Sequence, residues 1–313
     1  MATVKSFLGR FKRAWAEKGH YDKFIIGGST LFLCAAAFFL LAHRIFFTAD
    51  QFYFLGFFIA LVTGQAVQFL WDWTPVVLLI FSYEYLRGLV PMINHHIHVA
   101  LMPLFDKLIF GVIPSHVLQV AFYNPNHLHW YDYTAVILYL MHFIVPLIVG
   151  FFFWQTERGY FRQYVAGIVA LSYLTFLTYL IFPAAPPWMG SQLGVIPPVA
   201  HITNDIVAHL FNYIAIPSVY QFFGINLAAA VPSLHAAYPL LTALFVGKKY
   251  PKTIPILVVY VLAVWLAVMY LGEHYFFDVY LGAIYALVVY AAIQRVKKYL
   301  DKKKNLKPKV ALA

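Results

Sequence analysis

The chain has 313 residues, 63% hydrophobic and 11% charged, with a mean hydropathy of +0.75. A soluble domain carries about 25% charged residues, so this composition cannot furnish a water-facing surface and lipid is the expected outer solvent. The net charge of +10 invites a nucleic-acid reading that its distribution, below, argues against, and the single cysteine, Cys34, excludes an intrachain disulfide.

A spanning helix needs roughly 20 apolar residues. Eight runs are expected to span, at about 24–46, 52–71, 74–90, 133–154, 161–182, 229–246, 254–271 and 275–294. The basic tail 1–23 precedes a first run too long for a signal-peptide core. The third run is the shortest and follows Trp73-Thr74-Pro75. Two long loops separate the runs. The loop 91–132 opens on Pro91-Met92-Ile93-Asn94, and 183–228 opens on Phe182–Trp188. Leu101–Tyr123 and Asp205–Phe223 are expected as interfacial or re-entrant helices within them. A lysine-rich tail, 297–313, is expected to be disordered. The runs lack period-two alternation, which excludes a closed barrel. The fold class is therefore an all-α polytopic bundle, with 24–296 as the transmembrane domain between two basic tails.

Lysine and arginine set the orientation. Six lie in the N-terminal tail, two near 155–162 (Arg158 and Arg162), three in 247–253 and eight in the C-terminal tail, which accounts for nineteen of 22. Eight spans bring all four segments to one side, expected to be the cytoplasm with both termini. The charge is thus a topology signal and a contact with anionic lipid. Both long loops fall on the other face.

Ionisable groups in or beside spans are expensive and mark candidate sites. One cluster is Pro232-Ser233-Leu234-His235. Proline suits a first helical turn, which puts Ser233 and His235 near a helix N-terminus, where free N–H groups favour an anion. Taking the run to start at 229 places His235 about 9 Å below its outer end. The other cluster is His274 and Asp278, four apart and expected on one helix face. The carboxylate then fixes the imidazole tautomer and frees the second nitrogen as nucleophile or base. Both clusters fall at outer ends of spans. Each also has a structural reading, as a satisfied core histidine or a plain helix start. Arg87 either pairs with Glu84 or offers its fork to phosphate. His95, His96 and His98, with His127 and His129, suggest a metal, but zinc wants three or four converging ligands and no carboxylate or cysteine pattern completes the set. His201, Asn204 and Asp205 have no assigned role.

At these residues the sequence resembles the type 2 phosphatidic acid phosphatase superfamily, which carries a Pro-Ser-x-His block and a later His-x-x-x-Asp block. The resemblance runs from about Ser82 to Ala291. Tyr83–Gly88, Phe182–Trp188 and Ala230–Pro239 are most similar to the inositol phosphorylceramide synthase-like branch. It implies a six-helix core plus N-terminal helices, His274 as a nucleophile forming a phosphohistidine, Asp278 orienting it, His235 as general acid, Ser233 and neighbouring amides holding phosphate oxygens, and neither metal nor cofactor. The sequence departs from the phosphatases where Val268 stands in place of an arginine six residues before His274, where Gly88 follows Arg87, and where Leu234 replaces glycine.

The expected function is a membrane phosphoesterase acting on a lipid phosphate or phospholipid, with phosphatase placed before phosphotransferase. A proton-coupled lipid transporter is the alternative from another class. Oligomeric state and substrate identity are not readable from the sequence.

Overall fold

A computed structural model describes residues 49–210 and 226–306, besides Ala16 and Gly19. Every regular element among them is a helix. In chain order these are α1 (Ala49–Val62), α2 (Ala66–Ile93), α3 (Leu101–Phe110), α4 (Pro114–Phe122), α5 (Trp130–Thr156), α6 (Arg158–Ile181), α7 (Pro187–Gln192), α8 (Ile202–Leu210), α9 (Leu234–Lys249), α10 (Ile254–Tyr270) and α11 (Phe276–Leu306). Five are long and apolar enough to cross a membrane: α2, α5, α6, α10 with the short turn before it, and α11. The expected span 24–46 lies outside the described residues, as does most of Asp205–Phe223.

Several boundaries differ from the sequence reading. The runs 52–71 and 74–90 do not divide at Trp73-Thr74-Pro75. The break falls at Thr63-Gly64-Gln65, where Gly64 has φ 71°, and α2 runs through both Pro75 and Pro91 to Ile93. Proline is tolerated inside membrane helices because neighbouring groups satisfy the freed backbone. The stretch Leu101–Tyr123 is two helices bent by 72° at Gly111, whose φ is 72°. The run 229–246 becomes a helix only at Leu234, because Ala228 O and Ala230 N are taken by Ala184 (2.7 and 3.2 Å). Helix α11 continues to Leu306, so the lysine-rich tail is helical over its first part. Extending an existing helix is cheap, and cations suit a helix C-terminus.

Lipid tails are as apolar as a protein core, so close packing and interhelical polar bonds hold such a bundle together. Phe69, Trp73, Phe153, Trp154, Phe161 and Phe245 interlock α2, α5, α6 and α9. Tyr164–Thr242 (2.8 Å), Ser172–Tyr238 (2.7 Å) and Thr178–Tyr285 (2.8 Å) cross between helices. Such bonds contribute on average about 0.6 kcal/mol each.

The bundle has two chemically distinct ends. At one, Asp72 at the start of α2 meets Arg158 (3.6 Å) and Arg162 (3.3 Å), Lys249 meets Glu157, and Lys248 meets Gln294. At the other lie the C-terminal ends of α2, α6 and α10 and the N-terminal ends of α5, α9 and α11. Asn94 Nδ2 donates to Leu180 O (3.0 Å), Tyr270 OH to Asp132, and Ser233 N to Asp278 O (3.0 Å), tying those ends together.

Candidate active site

Two backbone devices hold the site. The first is a three-segment stitch in which His98, Ala184 and Ala229 form parallel bridges. It delivers the chain to Ser233, the N-cap of α9, whose Oγ accepts from Ala236 N (3.2 Å). The second is the turn after α10. Gly272 there has φ +78°, and a Cβ on it would stand 2.5 Å from Ala200 O. His274 N then donates to Val268 O (3.2 Å), so the residue precedes α11 rather than lying on it. The expectation that His274 and Asp278 share a helix face is corrected accordingly. Asp278 sits in the first turn of α11, and its Oδ2 accepts from Tyr275 N (2.8 Å). His274 comes to it from the preceding loop.

The three candidate catalytic groups form a line. Asp278 Oδ2 lies 3.5 Å from His274 Nδ1, too long for a strong hydrogen bond. His274 Nε2 lies 2.9 Å from His235 Nδ1. His274 and Asp278 are buried and His235 is half-buried. A proton on His274 Nδ1, the side facing the Asp278 carboxylate, would leave Nε2 with its lone pair and make His235 Nδ1 the donor.

His235 is the second residue of α9, not the seventh of a span. It is recessed because α9 is short. His142, which touches it, lies twelve residues after Trp130, or about 18 Å along α5. The His235 ring is held between Tyr139 (centroids 4.3 Å, planes 18° apart) and His142 (3.8 Å). His142 Nδ1 is bonded to Tyr139 O. A carbonyl only accepts, so that nitrogen carries the proton and Nε2 is unprotonated.

Arg87 Nη2 and Nε bond Glu84 Oε2 (2.8 and 3.0 Å), and Glu84 is buried. Of the two readings of Arg87, the structure shows the pairing with Glu84. Ser233 is fully buried, and its hydroxyl is engaged as the cap of α9. Val268 is fully buried among Ala236, Val264 and Val279, so the place where the phosphatases carry arginine is filled by apolar packing.

The sequence reading missed His142, Tyr139 and the supports of the His274 loop. Ser115 Oγ donates to His274 O (3.3 Å). Asp106 accepts from Phe276 N and Phe277 N (3.0 Å each), capping α11 from another element. His142 carried one legible signal, being a histidine inside an apolar run. His201, left without a role, bonds Glu273 Oε1 (2.9 Å) under the Trp188 ring, and Asp205 accepts from Tyr123 OH (2.8 Å). Among the described residues no three histidines, cysteines or carboxylates converge as a metal set. His98 instead stacks on Phe182 (3.8 Å) and His129 on Tyr131 (5.0 Å). Burial, with His96 beside it, lowers the His98 pKa from the ordinary imidazole value.

A multi-pass helical bundle with a His–His–Asp line at one end defines a class of membrane-embedded proteins. The chain belongs to the PAP2 superfamily, whose family model matches residues 115–292. It is 29% identical over 201 residues to a phosphoinositol dihydroceramide synthase of Bacteroides thetaiotaomicron, a stretch covering 61% of this chain and 65% of that protein's length. No solved structure matches.

Proposed function

We propose that this chain is an integral membrane enzyme that cleaves a phospholipid phosphodiester through a phosphohistidine on His274 and passes the phosphoryl headgroup to a lipid alcohol. The observation that carries this reading is the alignment of Asp278 Oδ2, His274 Nε2 and His235 Nδ1. His274 Nε2 attacks phosphorus as the P–O bond to the leaving alcohol breaks, and His235 Nδ1–H protonates that oxygen. In the second half, His235 takes the proton of the incoming hydroxyl as its oxygen displaces Nε2. Asp278 holds the His274 tautomer throughout. Phosphate enters between the two rings, which part to admit it, with Arg87 and the Ser233 end of α9 as its other contacts.

Hydrolysis of a lipid phosphate shares this intermediate, and the sequence reading placed it first. Two observations favour transfer. Arg87, the basic group acting on His235, is already neutralised by Glu84, and Val268 supplies no charge. Such a pocket suits a singly charged diester better than a doubly charged monoester. The similarity to a synthase points the same way. The basic end of the bundle supports a cytoplasmic placement of both tails (1–23 and 297–313), with the site on the opposite face. Eight spans follow if α1, α9 and 24–46 cross with the five long helices.

The test has two parts. Labelled donor should leave an acid-labile label on the parent protein and none on His274→Ala. Incubation with a phosphatidylinositol-type donor and a lipid alcohol should give a new phospholipid. Free phosphate from a lipid phosphate would restore hydrolysis, and pH-dependent flux without a trapped label would favour the transporter.

A further inference from the structure

Helices α3 and α4 are amphipathic in the inverted sense. Their polar residues face inward: Asp106 and Ser115 are fully buried and Gln119 nearly so. Each is spent on the backbone around the site. Asp106 caps α11, Ser115 holds His274 O, and Gln119 Nε2 donates to Ala200 O (3.0 Å) and Tyr270 O (2.8 Å). Their outward face is apolar, with Leu108 76% and Val120 73% exposed, beside Leu104, Ile109, Val117 and Phe122. A helix at a water boundary does the reverse, and an apolar face this continuous marks an interaction surface.

Two further facts identify what covers it. The face continues that of a spanning helix, because Phe105 and Phe110 pack on Tyr280 and Phe276 in the first turns of α11 (6.1 and 4.9 Å). The pair also cannot cross the bilayer. Its flanks, Asn94 after α2 and Asp132 at the start of α5, are tied to Leu180 and Tyr270 at the same end of the bundle. Each helix, at ten and nine residues, measures about 15 Å or less.

We propose that α3 and α4 form a re-entrant element immersed in one leaflet, its outward face solvated by acyl chains and its inward polar row carrying the nucleophile loop. Lys107, the exposed cation on α3, extends its stem along that face to reach headgroups. A lipid diffusing in the leaflet then meets the wall of the site directly. This inference concerns where the element lies and does not depend on which phosphoryl chemistry the site performs.

The test is nitroxide accessibility in the full-length protein in lipid nanodiscs, with Cys34→Ser as background and single labels at Leu108→Cys, Val120→Cys and, as the water reference, Asn126→Cys. Oxygen should relax the labels at 108 and 120 more than a water-soluble nickel chelate does, with the opposite order at 126. Nickel-dominated relaxation at 108 and 120 would overturn the proposal in favour of a water-facing loop. Protection from both reagents would overturn it in favour of a second copy of the chain. Labels that leave the helical circular dichroism of the parent intact establish that the fold is retained.

Discussion

His235 Nδ1 stands 2.9 Å from His274 Nε2, so on the proposed chemistry the proton donor occupies, in the resting site, the lone pair that attacks phosphorus. On the proposed chemistry, the two groups guard each other until a phosphoryl group separates them. That relation makes their roles separable by experiment.

His235→Ala should lower turnover of a substrate with an alkyl leaving group about 10²–10⁴-fold, the usual range for general acid catalysis. A nitrophenyl leaving group needs no proton and should recover most of that loss. His274→Ala should lose both substrates, and Asp278→Asn should resemble a milder His274 variant. Steady-state rates with the two donors check this.

His142 packs against the His235 ring (centroids 3.8 Å), and its expected role is to position that ring. Removing its ring in His142→Ala should let the His235 imidazole tilt and cost roughly 10²-fold in kcat, the scale of a 1 Å misplacement. KM should change little, because the ring is buried behind His235. His142→Asn, which can keep the bond to Tyr139 O, should recover part of the rate. A change in KM alone would point to a substrate contact instead.

Glu84 and Arg87 are one unit. Arg87→Gln strands a buried carboxylate and should destabilise by about 3–5 kcal/mol, as breaking a buried pair does. The double change Glu84→Gln with Arg87→Gln should regain stability in detergent melts. If Arg87 also serves phosphate, the double variant should remain slow.

Gly282 packs on the carbonyl of Ser233 so closely that an added methyl would overlap it. Gly282→Ala should therefore spread α9 from α11 and lower stability by about 1–3 kcal/mol, with activity falling further than stability because the His235–His274 distance grows. Asp106→Asn keeps one carboxylate-like acceptor where two backbone donors converge. It should cost about 0.5–2 kcal/mol, the range for losing a helix cap. Thermal unfolding measured alongside turnover checks both.

The motif residues were legible because chemistry restricts them. An imidazole and a carboxylate beside apolar runs are expensive enough to stand out, and their order in the chain brought them to one end of the bundle. Local geometry was less legible. His274 and Asp278 are four apart yet meet across a loop-to-helix junction, which spacing does not distinguish from one helix face. The division at Gly64 was hidden because apolar runs on both sides of it are continuous, while the more visible Pro75 sits inside α2. Asp106 serves amides 170 residues away, a pairing with no local signature. His142 read as one polar residue in an apolar run because its partner arrives on another helix.

The shortness of α9 has a chemical meaning. If the His235–His274 pair is the reactive centre, its place about 18 Å along α5, beside Tyr139, would let it sample what dissolves in oil more than what dissolves in water. On the proposed chemistry, the phosphohistidine waits where hydroxyl groups are delivered by partition from the leaflet and bulk solvent is scarce. Helix length then selects the co-substrate, and lengthening α9 by a turn would raise the centre towards solvent and trade transfer for hydrolysis.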